Sequence, residues 1–163
     1  MKKVALNTFP LFLIRAVILL TGVLYACQRA SDEAKQQLVL LVDNAAALVA
    51  SEGAKQACEA FKQPGSQWFD EDTYIFIDDT DGTQVCYPPD PSLEGQNRMN
   101  VQNSNGTFVV QKIIETVKTE PSGWVEYMWP KPGESTDSKK LTYVKKIQSG
   151  GKIFIVGSGI YLD

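Results

Sequence analysis

Two kinds of hydrophobic spacing divide this sequence, and Pro64-Gly65 separates them. Before it, Leu38, Leu41, Val42, Ala45, Leu48 and Val49 recur at the interval that lines one face of a helix. After it, apolar residues alternate or form short β-branched and aromatic runs, the spacing of strands. A chain in that order folds a long helix against a sheet that follows it. The class is α+β.

The helix is expected from Ser31 to about Phe61, with Ser31-Asp32-Glu33 as N-cap and first-turn acids. Gly53 bends or weakens it, and Pro64-Gly65 ends it. Strands are expected at Thr73–Asp78, Thr83–Tyr87, Gly123–Trp129, Leu141–Ile147 and Lys152–Tyr161. Asp79-Thr80-Asp81-Gly82 and Ser149-Gly150-Gly151 read as hairpin turns. Pro88-Pro89-Asp90-Pro91 breaks regular structure, residues 92–105 are irregular, and Thr107 to Val117 is a short amphipathic helix. Lys131 to Lys140 reads as a polar loop. Five strands joined mostly by hairpins imply one antiparallel sheet, with helices on one side. The excursion over residues 88–119 is the longest, and such segments tend to cover a sheet face and carry function.

The N-terminus has a different character. Lys2 and Lys3 are basic, Arg15 interrupts the apolar stretch, and an 11-residue apolar run, Ala16 to Ala26, ends at Cys27. That run is shorter than the ~20 residues of a transmembrane helix and fits the h-region of an export signal. Leu24-Tyr25-Ala26-Cys27 resembles a bacterial lipobox. The expectation is a signal peptide over residues 1–26, a lipid-modified Cys27, and one domain over 27–163 in the periplasm or on the cell surface. The alternative is a single membrane anchor from Val4 to Tyr25. It would carry Arg15 in mid-bilayer, at ~2.5–3.5 kcal/mol.

Composition narrows the chemistry. The chain has no His, which removes Ser-His-Asp and Cys-His nucleophile pairs and His-liganded zinc. Without residues 1–26, 13 basic residues face 19 acidic ones, a net charge of −6 that argues against nucleic acid. Cys58 and Cys86 form an even pair, read in an oxidising compartment as a disulfide, with two buried thiols as the alternative. The acidic run Asp78 to Gly82 fails as a calcium loop. In that register Ile77 and Pro88 would have to be ligands. Asp70-Glu71-Asp72 reads as a solvated start to a strand, and Asn105-Gly106-Thr107 as a turn rather than a glycosylation site. No carboxylate pair stands in a glycosidase context. No enzyme activity, metal or cofactor is expected.

The aromatic and basic strand residues suggest a binding site. Alternation puts Tyr74 with Phe76, Tyr127 with Trp129, and Tyr143 with Lys145 on common strand faces. A Lys is seldom buried without a partner. A Lys and several Tyr hydroxyls around an aromatic pocket suit a small anion such as a carboxylate, with Arg98 as a second cation. The expected site is Tyr74, Tyr87, Arg98, Tyr127, Trp129, Tyr143 and Lys145.

Several blocks then fall into a recognisable order. Tyr74-Ile-Phe-Ile-Asp78, Asp81-Gly82, Pro88 to Pro91, Leu93-Glu94-Gly95-Gln96-Asn97, Gly123-Trp124-Val125-Glu126-Tyr127-Met128-Trp129-Pro130, Tyr143-Val144-Lys145-Lys146 and Val156-Gly157-Ser158-Gly159-Ile160-Tyr161 together resemble the single Cache domain. The resemblance covers about residues 31–163. It implies a PAS-like antiparallel sheet behind a long N-terminal helix, and extracytoplasmic binding of small ligands, often organic acids. Many relatives have a His near Cys86-Tyr87-Pro88, where this chain has Tyr87. Because the chain stops two residues after Tyr161, the expected role is a tethered or secreted sensor accessory that presents a small molecule to a membrane receptor or kinase. The alternative is a non-catalytic interaction module that docks a membrane partner, with the same sheet face as dry core.

Overall fold

The computed structural model describes residues 10–70 and 72–162, with side chains at Arg29 and from Ser31 onward. The chain divides into two compact units, one up to Gln37 and one from Leu38. Helix α1, Pro10–Glu52, begins well before the expected cap at Ser31. The expected export signal and the Cys27 side chain lie outside the described side chains. No helix among the described residues is long and apolar enough to cross a membrane.

In the second unit Gly53, at φ 87°, separates α1 from α2, Ala54–Phe61. Only a residue without Cβ takes that backbone angle readily, so the expected bend is a full break. A two-stranded ribbon follows, β1 (Phe69–Asp70) against β2 (Thr73–Tyr74). The main sheet comprises β3 (Phe76–Asp79), β4 (Gln84–Cys86), β5 (Ser122–Pro130), β6 (Asp137–Ser149) and β7 (Lys152–Tyr161), in the order β4-β3-β7-β6-β5. Every pairing in it is antiparallel. The predicted strand Thr73–Asp78 is thus two short strands.

The helices lie on both faces, not on one as expected. Val42, Ala45, Ala46 and Val49 of α1 and Ala57, Cys58 and Phe61 of α2 are buried against Ile75, Ile77, Cys86 and Val156. On the opposite face, Val109, Ile113 and Val117 of α3 (Val109–Thr119) pack on Phe76, Val125, Tyr127, Val144 and Ile155. Alternation along each strand produces these two cores, because neighbouring residues point to opposite faces. Lys146 Nζ donates to the Val117 carbonyl at 2.8 Å and fastens the end of α3 to β6.

Strand β6 starts four residues earlier than its apolar residues suggest. Asp137, Ser138, Lys139 and Lys140 pair with Pro130, Trp129, Met128 and Tyr127 of β5. Hydrogen bonding to the neighbouring strand sets that length, whereas the side chains are polar and read as loop. The shift brings Lys140 into the sheet.

A bulge shapes the other end. Ile77 faces Cys86 while Asp78 faces Gln84, so one extra residue sits in β4. Residues two apart normally share a face; here the bulge sends Cys86 to the α1–α2 core and Gln84 to the α3 side. Cys86 is disulfide-bonded to Cys58, tying β4 to α2. The Asp78–Gly82 run is a turn, as expected: Asp79 Oδ1 accepts from the Asp81 and Thr83 amides at 3.0 and 2.8 Å.

Candidate functional site

The α3 face of the sheet is not filled completely. Tyr74, Phe76, Asp78, Gln84, Tyr87, Tyr127 and Trp129 surround a cavity that Val109, Val110 and Ile113 of α3 close from above. The recess is tight: only about 20 Å³ of it admits the centre of a water molecule, well short of the ~300–1,000 Å³ of cavities that hold drug-sized ligands.

Four of the seven expected residues converge here. Tyr74 and Tyr87 meet edge to face at 5.5 Å, as do Tyr127 and Trp129 at 5.9 Å. Trp129 Nε1 donates to the Tyr87 hydroxyl at 3.0 Å, and Thr142 Oγ1 donates to the Tyr127 hydroxyl at 2.9 Å. The Tyr74 and Tyr87 hydroxyls lie 3.4 Å apart, where either can donate to the other, while the Tyr127 hydroxyl, which accepts from Thr142, keeps its own proton to give. The cavity therefore offers hydrogen-bond donors. Burial also pushes the Tyr74 and Tyr127 hydroxyls above their ordinary range, so both remain protonated.

Arg98 stands at the margin. Its backbone amide donates to Gly82 O at 2.8 Å, and it borders an open surface groove that also touches Trp129. Tyr143 and Lys145 are elsewhere. Tyr143 packs with the α1–α2 core and donates to Ser122 Oγ at 2.8 Å. Lys145 Nζ lies 2.7 Å from Asp43 Oδ1 of α1. Both sit at odd positions of β6, and in the observed register odd positions face α1 and α2. Strand alternation paired these two correctly, but the pair is on the wrong face for the cavity.

The cation on the correct face is Lys140. It is 1% exposed, and its Nζ lies 3.8 Å from the centre of the Tyr74 ring and 4.6 Å from that of Tyr161. It donates to the Tyr161 hydroxyl at 3.4 Å, and that hydroxyl donates to Pro130 O at 2.6 Å. Among the described residues no carboxylate stands within ion-pair distance of it. Burial drives its ammonium well below the ordinary lysine value, with Asp72 pulling weakly the other way. Lys140 does not itself line the cavity; it lies on the ring of Tyr74, which does. Gly159 makes room for it, since a Cβ there would come 2.7 Å from Lys140 Cε. A glycine inside a strand, as in Gly157-Ser158-Gly159, marks close approach and was the available sequence signal.

The position of Tyr87 is held from behind. Its amide donates to Glu94 Oε1 at 3.0 Å, and Lys62 Nζ meets Glu94 Oε2 at 2.8 Å. The neighbouring Cys86 is held by its disulfide. An aromatic, donor-rich cavity under a loop-and-helix cover, on an antiparallel sheet backed by a long helix, defines a domain of the small-ligand sensor class.

Comparison with known proteins agrees. The family model described as Cache domain matches residues 25–163. The chain belongs to the Cache domain family. It is 29% identical over 119 residues to the methyl-accepting chemotaxis protein McpP of Pseudomonas putida, covering 73% of this chain and 21% of that protein. It is 30% identical over 112 residues to the sensor histidine kinase MctS of Rhizobium johnstonii, covering 69% and 23%. The chain thus spans under a quarter of the length of these relatives. Among solved structures, a periplasmic sensor domain of a chemotaxis protein superposes with TM-score 0.64 at 29% identity, covering 85% of this chain and 98% of that one. A second, from work on carboxylic acid recognition by a Cache chemosensory domain, gives 0.64 at 28% identity, covering 88% and 98%. A methyl-accepting chemotaxis protein of Vibrio parahaemolyticus gives 0.67 at 26%, covering 87% and 97%.

Proposed function

We propose that this Cache sensor domain binds a small carboxylate in the recess between β3, β5 and α3. The observation that carries this reading is Lys140: a buried lysine without a carboxylate partner among the described residues, its charged form disfavoured by burial, laid against a wall of tyrosine rings and hydroxyls. A buried charge without a counter-charge is costly, and an anion in the adjoining cavity supplies one. The solved relative studied for carboxylic acid recognition supports the same ligand class.

Tyr74, Tyr87, Tyr127 and Trp129 line the ligand in this reading, and Lys140 takes the counter-charge role expected of Lys145. Arg98 stands at the rim. A thermal-shift series on the full chain with formate, acetate, propionate, butyrate and succinate tests it. Saturation at 100 times Kd adds about 2.7 kcal/mol of stability. Acetate or propionate is expected to give the largest shift; a series without any shift overturns the reading.

We also infer that the chain is exported and held at the membrane through Cys27, as a sensor accessory to a membrane receptor or kinase. The sequence Leu24-Tyr25-Ala26-Cys27 supports this. Fatty-acid labelling that is lost in Cys27→Ala is the expected result. Unlabelled protein retaining residues 1–26 would favour the membrane-anchor alternative.

A further inference from the structure

The one ionisable carboxyl among the cavity-lining residues is Asp78. It is 2% exposed, and Gln84 beside it is 5% exposed. Gln84 Nε2 donates to Asp78 Oδ1 at 2.7 Å and reaches Cys86 O at 3.3 Å. Asp78 reaches this cavity by alternation with Phe76 on β3, and Gln84 reaches it because of the bulge in β4; the donor set described above leaves both without a task.

We propose that Asp78 and Gln84 form a second polar subsite of the cavity, where Asp78 holds the ligand carboxylate through a shared proton, so that binding takes up a proton from solvent wherever the free Asp78 is ionised. This rests on the carboxylate reading and adds to it a regulation by pH. Two carboxylates side by side in this largely apolar recess cannot both stay ionised without a large penalty. The weaker acid of the pair takes the proton, and its O–H then donates to the ligand oxygen. No bond is made or broken apart from the O–H that forms on Asp78, and its proton comes from the buffer.

The surroundings of Asp78 favour that role. Burial, and then Asp79 on the same strand, push its carboxyl up to about 7, against the opposing pull of Arg98 and the Gln84 hydrogen bond. Facing it across the cavity, β5 contributes the Tyr127 hydroxyl, and α3 contributes only Val109, Val110 and Ile113. Its partner on β7 is Ile155. Burial apart, the groups that set its charge are therefore Asp79, Arg98 and Gln84. An anion entering beside it pushes it further towards the acid.

Calorimetric titration of the full chain with acetate between about pH 6 and 8.5, in buffers of different ionisation enthalpy, tests the proposal. Affinity is expected to fall about tenfold per pH unit above about pH 7, with proton uptake approaching one per acetate. Asp78→Asn keeps the size and a hydrogen-bond acceptor for Gln84 but cannot titrate. In it, affinity should no longer vary with pH and uptake should vanish. Wild-type binding that is indifferent to pH overturns the proposal and leaves carboxylate binding intact. Uptake that survives in Asp78→Asn overturns it as well and places the proton on Lys140. Affinity that rises with pH overturns it in favour of an ionised Asp78 reading a ligand ammonium. If no carboxylate binds at any pH, both readings fall. Should Asp78→Asn not fold, NMR titration of the wild-type Asp78 carboxyl decides: an upward shift with acetate supports the proposal, and an unmoved or lower value overturns it.

Discussion

The ammonium of Lys140 rests 3.8 Å from the centre of the Tyr74 ring. The ring separates a buried cation from the cavity that Tyr74 lines, so charge and recess are one side chain apart. A cation over an aromatic face recovers part of its lost hydration, roughly 2 kcal/mol when desolvated. Lys140 remains ill at ease in that position, and its removal should show it. Lys140→Met is expected to fold, to be at least as stable as wild type at neutral pH, and to lose the carboxylate response in thermal shift. The folded state holds the Lys140 proton more weakly than the unfolded chain does. Wild-type stability from this group therefore rises with pH towards the ordinary lysine value, and Lys140→Met should lack that rise.

Asp78 has the opposite sign. Its folded value of about 7 lies above the unfolded value of 3.8, so the folded state holds the proton more tightly. Stability from this group is full at low pH and is lost as pH rises from about 4 through 7, by on the order of 4 kcal/mol. Urea unfolding of wild type and Asp78→Asn at about pH 5 and pH 8 measures it. The variant should gain most at the higher pH; equal differences at both values would refute the assignment.

Lys145→Ala should matter little to the ligand. The Lys145–Asp43 pair is partly exposed, and such pairs contribute ~0.2–1 kcal/mol. A small loss of melting temperature with an unchanged carboxylate shift is expected. Loss of the shift would return Lys145 to the site.

Gly159→Ala tests the bed of Lys140. A methyl group at 159 would overlap Thr142 Oγ1 and the Lys140 stem. Weaker carboxylate binding is expected, with moderate destabilisation. Unchanged affinity in Gly159→Ala would show that the Lys140 position is immaterial.

Removing both cysteines of the Cys58–Cys86 disulfide opens a 28-residue loop, worth ~3 kcal/mol in the chain-entropy model. Because Cys86 precedes Tyr87, the double Ala variant should also bind carboxylate more weakly. Reduction of wild type under non-denaturing conditions checks the same point.

Much of this site follows from alternation within single strands. Tyr74 with Phe76 and Tyr127 with Trp129 were legible as pairs because two-residue periodicity is local. Which pair shares a cavity is not local. Tyr143 and Lys145 satisfied the same rule and landed behind the sheet, since only the β5–β6 register decides that Tyr127 lies opposite Lys140 and Trp124 opposite Tyr143. Gln84 was hidden for a related reason: a bulge breaks the alternation that would have placed it with Cys86. Asp78 follows Tyr74 and Phe76 by the same two-residue spacing, but its run reads as a turn in the sequence.

The sequence by itself determined the order of long helix and main strands, Gly53 as a weak point, the turn at Asp79–Gly82, Cys58 and Cys86 as candidate partners, and the family. Each rests on interactions between residues close in the chain, or on composition. Only the tertiary structure decided the face, the register and the depth of burial. Those depend on hydrogen bonds between strands distant in sequence, and they replaced Lys145 with Lys140 as the cation beside the cavity.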